Sequence, residues 1–533
     1  MVVLLLAVAV VPRVLTADGF ATIDEHEWLV RSLNFQHALS RRDFDATYRS
    51  EHPGVTTMWV GALGHAVACP SCTEPSEVSS GDYVAYLEAH DTAPRLVLGA
   101  CRVVMVCANA AIMIAAYALL ARLLTRQVAA LGVALVALDP FTAAHTQLLH
   151  LDGLLACLLL LSLAAFLRYL QTPQGRWLLM SAAAAGLAAA TKSTAIFAAA
   201  GIAALAVVDA ARSLHPWAAL RRTVAALGLW GGVALVVFVA VWPAMWVAPL
   251  ATLTRMATEA LSYAELGHES PVLYAGRILS DGRVGLSFYP TLYLWRSSPV
   301  VLVGLLVALF RCIRQRRCGL ASLPAGLYLA LFAICYALVL SAPYKKFDRY
   351  LLPACLPLMI VAAEGWSYLA RGLGSACSGL RGRRLSGLLL AAVVMLQGLG
   401  LAQAYPYYLS YYNPALGGLR RAATQITVGW GEGLDQAAAY LRERPGADEL
   451  QVASWYGPCF AYYFPGNTSN ISNLDDIGVW ERDHLLSGDY IVIYINQWQR
   501  NIPRSLMDRI RELEPEHYVH VGGVPYVAIY RLR

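Results

Sequence analysis

The sequence predicts an α-helical polytopic membrane protein, with about eleven transmembrane helices followed by a small extracytoplasmic α/β domain. Of its 533 residues, 58% are hydrophobic and 14% are charged, whereas soluble domains carry about a quarter charged residues. Long runs without charge, such as 103–120 and 154–166, are what a helix needs to cross about 30 Å of hydrocarbon. After residue 403 the composition changes to that of a mixed α/β domain.

The transmembrane helices are predicted from apolar spans that follow one another along the chain. The spans lie near 2–17, 95–121, 127–142, 153–170, 177–191, 194–210, 224–247, 298–311, 319–341, 350–370 and 386–403. The first span lacks the basic n-region and the small-residue cleavage site of a secretory signal peptide. We therefore expect it to be a transmembrane helix.

The loops between the spans alternate in character. One set is short and rich in Arg, at 122–126, 168–176, 212–222, 311–317 and 371–384. The positive-inside rule predicts that these loops are cytoplasmic. The other loops are longer and mixed, and an odd number of spans then places the C-terminal segment outside. Because the net charge of +6 comes from Arg in these short loops, nucleic-acid binding is not expected.

The sequence divides into a transmembrane domain, 1–403, and an α/β domain, 404–533. In the first outer loop, 18–94, the stretches 25–44 and 52–67 are expected to form helices that lie along the membrane interface. The C-terminal domain is expected to contain an amphipathic helix at 433–446 and strands at 449–455, 489–495 and 526–532.

One pair of cysteines, Cys69 and Cys72, could form a disulfide. Most of the eleven cysteines lie in apolar spans, where Cys behaves as a small hydrophobe. Cys69 and Cys72 lie in a polar stretch, and they would form a disulfide if they face an oxidising compartment. A zinc site would need two more ligands, and the sequence has no second Cys-x-x-Cys.

Ionisable residues are concentrated at the outer ends of the spans, where such residues are costly and by default indicate function. The candidates are Asp24, Glu25, His26, Glu27, His52, Asp139, His145, His150, Asp152, Lys192, Lys345, Lys346, Asp348 and Arg349. The carboxylates suit a general base that activates a hydroxyl. Lys supplies a point charge and Arg a bidentate fork, so the basic residues suit a phosphate.

A structural role is the alternative for each of these groups. Asp24 and Glu25 would then only flank a helix end, and the pair at 150 and 152 would cap the span that follows. Lys192 would extend its ammonium group to the interface. The cluster 345–349 would be a topology signal, although it lies outside, against the usual bias. The histidines show no spacing typical of a metal site.

In this order, the motifs resemble those of the GT-C fold glycosyltransferases. The chain is similar to the dolichyl-phosphate-mannose protein mannosyltransferases and to the bacterial aminoarabinose transferases that modify lipid A. The resemblance rests on the pair Asp24-Glu25 and on six further stretches, namely HPGVTTMW (52–59), HLDG (150–153), TKS (191–193), KKFDRYLLP (345–353), YLSYYNPALGG (408–418) and VGWGEGLDQAAAYL (428–441).

The resemblance implies an inverting glycosyltransferase that moves a sugar from a polyprenyl-phosphate donor to an acceptor hydroxyl on the outer face of the plasma membrane. Asp24 would be the catalytic carboxylate, and Glu25 would support the site or bind the acceptor. The donor phosphate would be bound by Arg349, Lys346, Lys345 and Lys192, and the cavity would be lined by His52, His150 and Asp152. Since some branches use a divalent metal ion and others none, metal dependence stays open.

Two other functions are compatible with parts of the sequence. A transporter or flippase for a lipid-linked or polyol substrate would be expected to show internal repeats and helices broken near the midplane. No clear repeat is present, and the charges lie at span ends. A scaffold that presents the α/β domain would explain the C-terminal segment but not the acids and bases of the outer face. The acceptor, whether protein, lipid or glycan, is not specified.

Overall fold

Helices form most of the first 403 residues. The computed structural model describes residues 1–50, 52–73, 76–213, 215–265, 270–279, 284–316, 324–376, 379–471 and 474–533. The helices of this part are α1 (Val2–Val14), α2 (Ile23–Ser40), α3 (Val55–Ala68), α4 (Tyr83–Ala89), α5 (Pro94–Leu123), α6 (Arg126–Leu138), α7 (Pro140–Gln147), α8 (Leu151–Gln171), α9 (Gly175–Thr191), α10 (Ala195–Ala211), α11 (Pro216–Val241), α12 (Ala244–Val247), α13 (Pro249–Glu265), α14 (Phe288–Arg296), α15 (Pro299–Arg316), α16 (Ala325–Leu340), α17 (Leu352–Ala376) and α18 (Gly379–Gln403). Strands β1 (Val272–Tyr274) and β2 (Arg277–Leu279) pair in antiparallel fashion before α14.

A described helix lies at each of the eleven predicted span positions. By length and composition, five described helices could cross a membrane, and up to seven spans result if the bent pairs α6–α7 and α14–α15 each form one. The number eleven therefore stays a prediction. The end of the predicted basic loop 311–317 and the start of the predicted span 319–341 lie outside the described residues.

The chain bends between α6 and α7, just before α8, the helix of the fourth predicted span. Pro140 occupies the first turn of α7, and the Asp139 carboxylate accepts a hydrogen bond of 2.8 Å from the backbone N–H of Thr142, so the chain bends by 70°. Helix α8 then begins directly after His150. A Cβ atom at Gly153 would lie 2.1 Å from the carbonyl oxygen of His145. Glycine thus permits α7 and α8 to approach closely beside the site.

The first outer loop forms two helices at the predicted positions, α2 and α3, which pack against each other. Trp28, Leu29 and Leu33 are buried on the inner side of α2. A disulfide joins Cys69 and Cys72 after the end of α3. The segment that the sequence predicts to be the first outer loop therefore has an ordered structure.

The C-terminal segment forms an α/β domain around a five-stranded sheet. Its helices are α19 (Gly418–Ala422), α20 (Leu434–Arg442), α21 (Gly457–Phe460), α22 (Val479–Leu485), α23 (Ile495–Arg500) and α24 (Arg504–Ile510), and its strands are β3 (Gln451–Trp455), β4 (Asn467–Ile471), β5 (Tyr490–Tyr494), β6 (His517–Val521) and β7 (Val524–Arg531). The strand order is β4-β3-β5-β7-β6, with β4, β3 and β5 parallel and the other two pairings antiparallel. The predicted amphipathic helix corresponds to α20 and the three predicted strands to β3, β5 and β7, whereas β4 and β6 were not predicted.

Candidate active site

The first turn of α2 points two neighbouring carboxylates in different directions. The Thr22 hydroxyl caps the helix by accepting a hydrogen bond of 3.2 Å from the backbone N–H of Glu25. Asp24 lines a polar cavity, and its side chain is 35% exposed. The side chain of Glu25, by contrast, is fully buried. Asp24 and Glu25 thus do flank a helix end, as in the structural alternative, but the side chain that caps this end is that of Thr22.

Arg349 connects Asp24 to a second, buried carboxylate. Its Nη2 atom donates a hydrogen bond of 2.9 Å to Oδ2 of Asp24, and its Nε atom lies 3.3 Å from Oδ2 of Asp152. Asp152 is only 1% exposed. Burial raises the pKa of the Asp24 carboxyl, but the charge of Arg349 and the contact with His150 outweigh it and lower this pKa to about 2. Asp24 is therefore ionised and accessible, while Asp152 is ionised but enclosed.

His150 and Lys192 complete the cluster around Asp152. The Nε2 and Nδ1 atoms of His150 lie 3.4 Å from Oδ2 of Asp24 and 3.3 Å from Oδ2 of Asp152. The Lys192 ammonium group donates a hydrogen bond of 2.7 Å to Oδ1 of Asp152 and lies 3.7 Å from the centre of the Tyr350 ring. The backbone of Lys192 is extended between the end of α9 and the start of α10. Its side chain points into the protein, where it is 2% exposed, and not towards the membrane interface.

Glu25 lies outside this cluster. Its carboxylate accepts hydrogen bonds of 2.8 and 2.5 Å from Nε and Nη2 of Arg102 and one of 2.9 Å from the backbone N–H of Leu149. Arg102, on α5, is fully buried as well. Contact between Glu25 and an acceptor would require this buried pair to open. The geometry therefore departs from the acceptor-binding alternative for Glu25 and is that of a residue that supports the site.

The polar cavity has a volume of about 390 Å³, and an apolar cavity of about 760 Å³ lies beside it. Asp24, Arg349 and Lys346 line the polar cavity, and His52 lines the apolar one. Lys345 lines both, so it marks where the two cavities meet.

His52 and Lys346 have different surroundings. The Nδ1 atom of His52 lies 3.1 Å from the hydroxyl of Ser193, and burial, then the charge of Lys192, lowers the pKa of His52 to about 3. His52 is therefore neutral at physiological pH. The Lys346 ammonium group donates a hydrogen bond of 3.1 Å to the carbonyl oxygen of Val284. The structure thus brings Asp24, His150, Asp152, Lys192 and Arg349 into one cluster, with His52, Lys345 and Lys346 on the cavity walls.

The scarcity of lysine in the sequence also points to the residues around the two cavities. Of 41 basic residues, only three are Lys, at 192, 345 and 346. In the structure Lys192 contacts Asp152, and Lys345 and Lys346 line the polar cavity. An ammonium group is a compact point charge on a flexible stem, which Arg does not replace. A chain that otherwise uses Arg therefore has Lys only beside the two cavities.

The C-terminal domain contributes residues that the sequence did not predict as site residues. Trp430 packs on the Arg349 guanidinium, with 4.4 Å between the guanidinium carbon and the ring centre, and lies edge-on to His150 at 5.3 Å. Gly431 has a φ of +120°, and a Cβ atom there would lie 2.4 Å from the carbonyl oxygen of Ala21. Glycine therefore allows this loop to reach the beginning of α2. This loop belongs to the stretch 428–441, for which the resemblance implies no role in the site.

The described residues do not form a metal site. Among them no group of three or more His, Cys, Asp or Glu side chains is arranged to hold a metal ion. The carboxylates of Asp24 and Asp152 contact the cations Arg349 and Lys192 instead.

Comparison with known proteins agrees with this architecture. The sequence model of the family described as dolichyl-phosphate-mannose-protein mannosyltransferase matches residues 98–246, a range that contains Asp152 and Lys192. A search of curated protein sequences gives no significant match.

Two solved structures of ArnT from Cupriavidus metallidurans are similar to the chain. The apo structure has a TM-score of 0.55 at 15% identity, and the structure bound to undecaprenyl phosphate has a TM-score of 0.52 at 16% identity. Both alignments cover 100% of this chain and 98% of ArnT. The chain is thus an integral membrane protein with the fold of the GT-C glycosyltransferases, as its motifs predicted.

Proposed function

We propose that this protein is an inverting glycosyltransferase that moves a sugar from a polyprenyl-phosphate donor to an acceptor hydroxyl on the extracytoplasmic face. The observation on which the proposal chiefly rests is the contrast between two ionised carboxylates that share Arg349. Asp24 is accessible from a polar cavity, and Asp152 is enclosed. An accessible carboxylate beside a guanidinium suits a base that works next to a phosphate.

The apolar cavity would hold the lipid of the donor. Its walls include apolar side chains of α10, α11 and α13, such as Ile202, Phe238 and Leu261. Polar groups occur at its edge, where His52, Ser193 and Lys345 lie. An apolar space with a cation at one end fits a lipid chain that ends in a phosphate. The ArnT structure with bound undecaprenyl phosphate supports this assignment.

The reaction would take place where the cavities meet. Asp24 would accept the proton of the acceptor hydroxyl as the hydroxyl oxygen forms a bond to the anomeric carbon. The bond from that carbon to the phosphate oxygen would break, and its electron pair would leave with the lipid phosphate. Attack and departure on opposite sides of the carbon invert its configuration. Lys345 and Arg349 would stabilise the charge of the departing phosphate.

The remaining site residues would position these groups. Lys192 neutralises Asp152, and Asp152 in turn contacts Arg349 and His150. Glu25, through Arg102 and Leu149, fixes the first turn of α2. The Arg-rich loops support an extracytoplasmic location of the proposed active site. The positive-inside rule places these loops on the cytoplasmic side of the membrane, opposite the predicted outer loops that carry the site residues.

The test is sugar transfer by the purified protein in liposomes, with a radiolabelled polyprenyl-phosphate sugar and an outer-envelope extract as acceptor. Asp24→Asn keeps an oxygen for Arg349 but removes the base, so label should leave the lipid about 10²–10⁴-fold more slowly. Asp43→Asn is the matched control, because Asp43 lies exposed in the same outer loop. Transfer at the native rate by Asp24→Asn, with an unchanged unfolding temperature, would show that Asp24 is not the base. A transporter would move label across the bilayer without cleaving it.

A further inference from the structure

Residues that directly follow two strands of the C-terminal sheet line the polar cavity. Tyr456 directly follows strand β3, and Asn496 and Arg500 lie on α23, directly after strand β5. These two strands are parallel neighbours, so their carboxyl ends lie at the same edge. In open α/β sheets, ligands bind in the crevice beyond these ends. All three side chains line the cavity that Asp24 lines.

Asn496 presents an acceptor atom that has no partner among the described residues. It is 3% exposed, and its Nδ2 atom donates hydrogen bonds to the Tyr456 hydroxyl at 3.0 Å and to the carbonyl oxygen of Gly429 at 3.4 Å. These two acceptors fix the orientation of the amide, and its Oδ1 atom is left without a hydrogen bond. Buried polar atoms are rarely unpaired. Oδ1 is therefore suited to accept a hydrogen bond from a ligand.

Arg500 provides a charge without a carboxylate partner in the part of the chain that the structure describes. Its Nε atom donates a hydrogen bond of 2.8 Å to the backbone carbonyl of Asn496. Two other arginines that line the cavity, Arg296 and Arg349, are each paired with an aspartate. Burial lowers the pKa of Arg500, with only Tyr456 opposing this effect. A half-buried guanidinium without a counter-ion suits a carboxylate or phosphate, which it can bind through two parallel hydrogen bonds.

The conformation of Tyr456 supports the same assignment. Its φ of +55° is uncommon for a residue other than glycine, and such backbone conformations cluster at ligand sites. It places the Tyr456 hydroxyl against Asn496, between the sheet edge and the cavity.

We propose that Arg500 and Asn496 form an acceptor subsite that binds a hydroxyl compound bearing an oxyanion, either a carboxylate or a phosphate. The oxyanion lies on Arg500, a hydroxyl donates to Oδ1 of Asn496, and the hydroxyl to be glycosylated points across the cavity to Asp24. The subsite deepens the proposed transferase function and gives the C-terminal domain the role of selecting anionic acceptors.

The experiment measures ligand binding to the full-length protein in lipid nanodiscs by saturation-transfer difference NMR. The probes are sodium glucuronate, glucose 6-phosphate and, as the uncharged match, glucose. Glucuronate or glucose 6-phosphate should bind the unmodified protein at least tenfold more tightly than glucose, and whichever is preferred identifies the oxyanion. Arg500→Gln should reduce the preference over glucose to less than twofold. Arg500→Lys should retain a preference, and Arg509→Gln, at an exposed position of α24, should retain all of it. Because each ratio is measured within one variant, partial loss of folded protein does not change it.

A second arm distinguishes the acceptor from the donor phosphate. Undecaprenyl phosphate binding should be unaffected by Arg500→Gln and weakened by Lys345→Gln. If Arg500→Gln weakens undecaprenyl phosphate and leaves glucuronate unchanged, Arg500 belongs to the donor site and the subsite is overturned. Equal binding of glucose and both anions by the unmodified protein would also overturn it. Neither result depends on transfer, so failure of the subsite is separate from failure of Asp24 as the base.

Discussion

The guanidinium of Arg349 lies 2.9 Å from the carboxylate of Asp24, so the proposed base is paired with a proposed phosphate ligand. As long as this pair is intact, the pKa of Asp24 is about 2, and Asp24 is a weak base. A phosphate that takes over the Arg349 guanidinium would weaken the pair. The pKa of Asp24 would then rise when the donor is bound, which is when a base is needed.

This relationship predicts different pH dependences for the free and the donor-bound enzyme. Activity requires ionised Asp24 and is therefore lost as the pH falls through its pKa. The profile of kcat/KM reports the free enzyme and that of kcat the bound one, so the acid limb of kcat should lie at the higher pH. Arg349→Gln should move the acid limb of kcat/KM upward, towards an ordinary carboxyl pKa of about 3.9. Coincident limbs in the unmodified enzyme would show that the pair stays intact during the reaction.

The same pair has a predictable effect on stability. The pKa of Asp24 is lower in the folded protein than in an unfolded chain, so the pair stabilises the fold above about pH 4 and this contribution is lost as the pH falls towards 2. Arg349→Gln should therefore lower the unfolding temperature at pH 7 more than at pH 3. Thermal unfolding in detergent at the two pH values measures this difference, and an equal loss at both would contradict it.

Lys345 is predicted to contribute more to donor binding than its neighbour, because Lys345 lines both cavities whereas Lys346 lines the polar one. Lys345→Gln should raise the KM of the polyprenyl-phosphate donor about tenfold, equivalent to ~1.4 kcal/mol. Lys346→Gln should raise it less than threefold. The reverse order would assign the phosphate to the polar cavity rather than to the junction.

The scarcity of lysine provides an independent measurement. Since the chain has three lysines, and Lys192 and Lys346 are only 2% and 5% exposed, Lys345 should be the lysine that reductive methylation labels most. Undecaprenyl phosphate should protect Lys345 from methylation, as detected by mass spectrometry of the peptides. Labelling of Lys345 that is unchanged at saturating lipid would contradict its contact with the phosphate.

The membrane fold and the main cluster could be predicted because their signals are local. Charge-free runs predict helices wherever they occur, and ionisable residues at span ends, such as Asp24, Asp152 and Lys192, stand out against an apolar background. The orientation of Glu25 could not be predicted, since neighbouring residues on a helix differ by about 100° in direction and the pattern does not show which one meets a cavity. Arg500 and Trp430 were missed because their proximity to Asp24 results from how the C-terminal domain packs over the membrane helices.

The buried position of Arg102 also has a signal in the sequence. Arg102 lies within a predicted apolar span, 95–121, where a charge is costly unless it is paired. The structure supplies the partner, Glu25, and the carbonyl oxygens of Thr16, Ala17 and Phe20 accept further hydrogen bonds from Arg102. A lone Arg in a span therefore indicated a buried acid elsewhere, but not which one.

The Glu25–Arg102 pair is predicted to support stability and not to contact the acceptor. Glu25→Ala leaves a buried guanidinium without its carboxylate, which should cost about 3–5 kcal/mol in the free energy of unfolding. Glu27→Ala is the matched control, because Glu27 lies two residues further along α2, is 38% exposed and should cost less than about 1 kcal/mol. Denaturant titration in detergent measures both. If Glu25→Ala instead raised the KM of the acceptor at unchanged stability, Glu25 would bind the acceptor.

Trp430 is predicted to position Arg349 from the side of the C-terminal domain. A cation over an aromatic face gains about 0.5–2 kcal/mol, and the Trp430 ring is 4.4 Å from the Arg349 guanidinium carbon. Trp430→Ala should therefore lower kcat about tenfold and shift its acid limb, while Trp430→Phe should retain most of the activity. Trp480→Ala, which removes an exposed ring that stacks on His484, should leave both unchanged. A Trp430→Ala variant with the native kcat and pH profile would show that Arg349 is held by Asp24 and Asp152 alone, and that the C-terminal domain contributes nothing to the geometry of this ion pair.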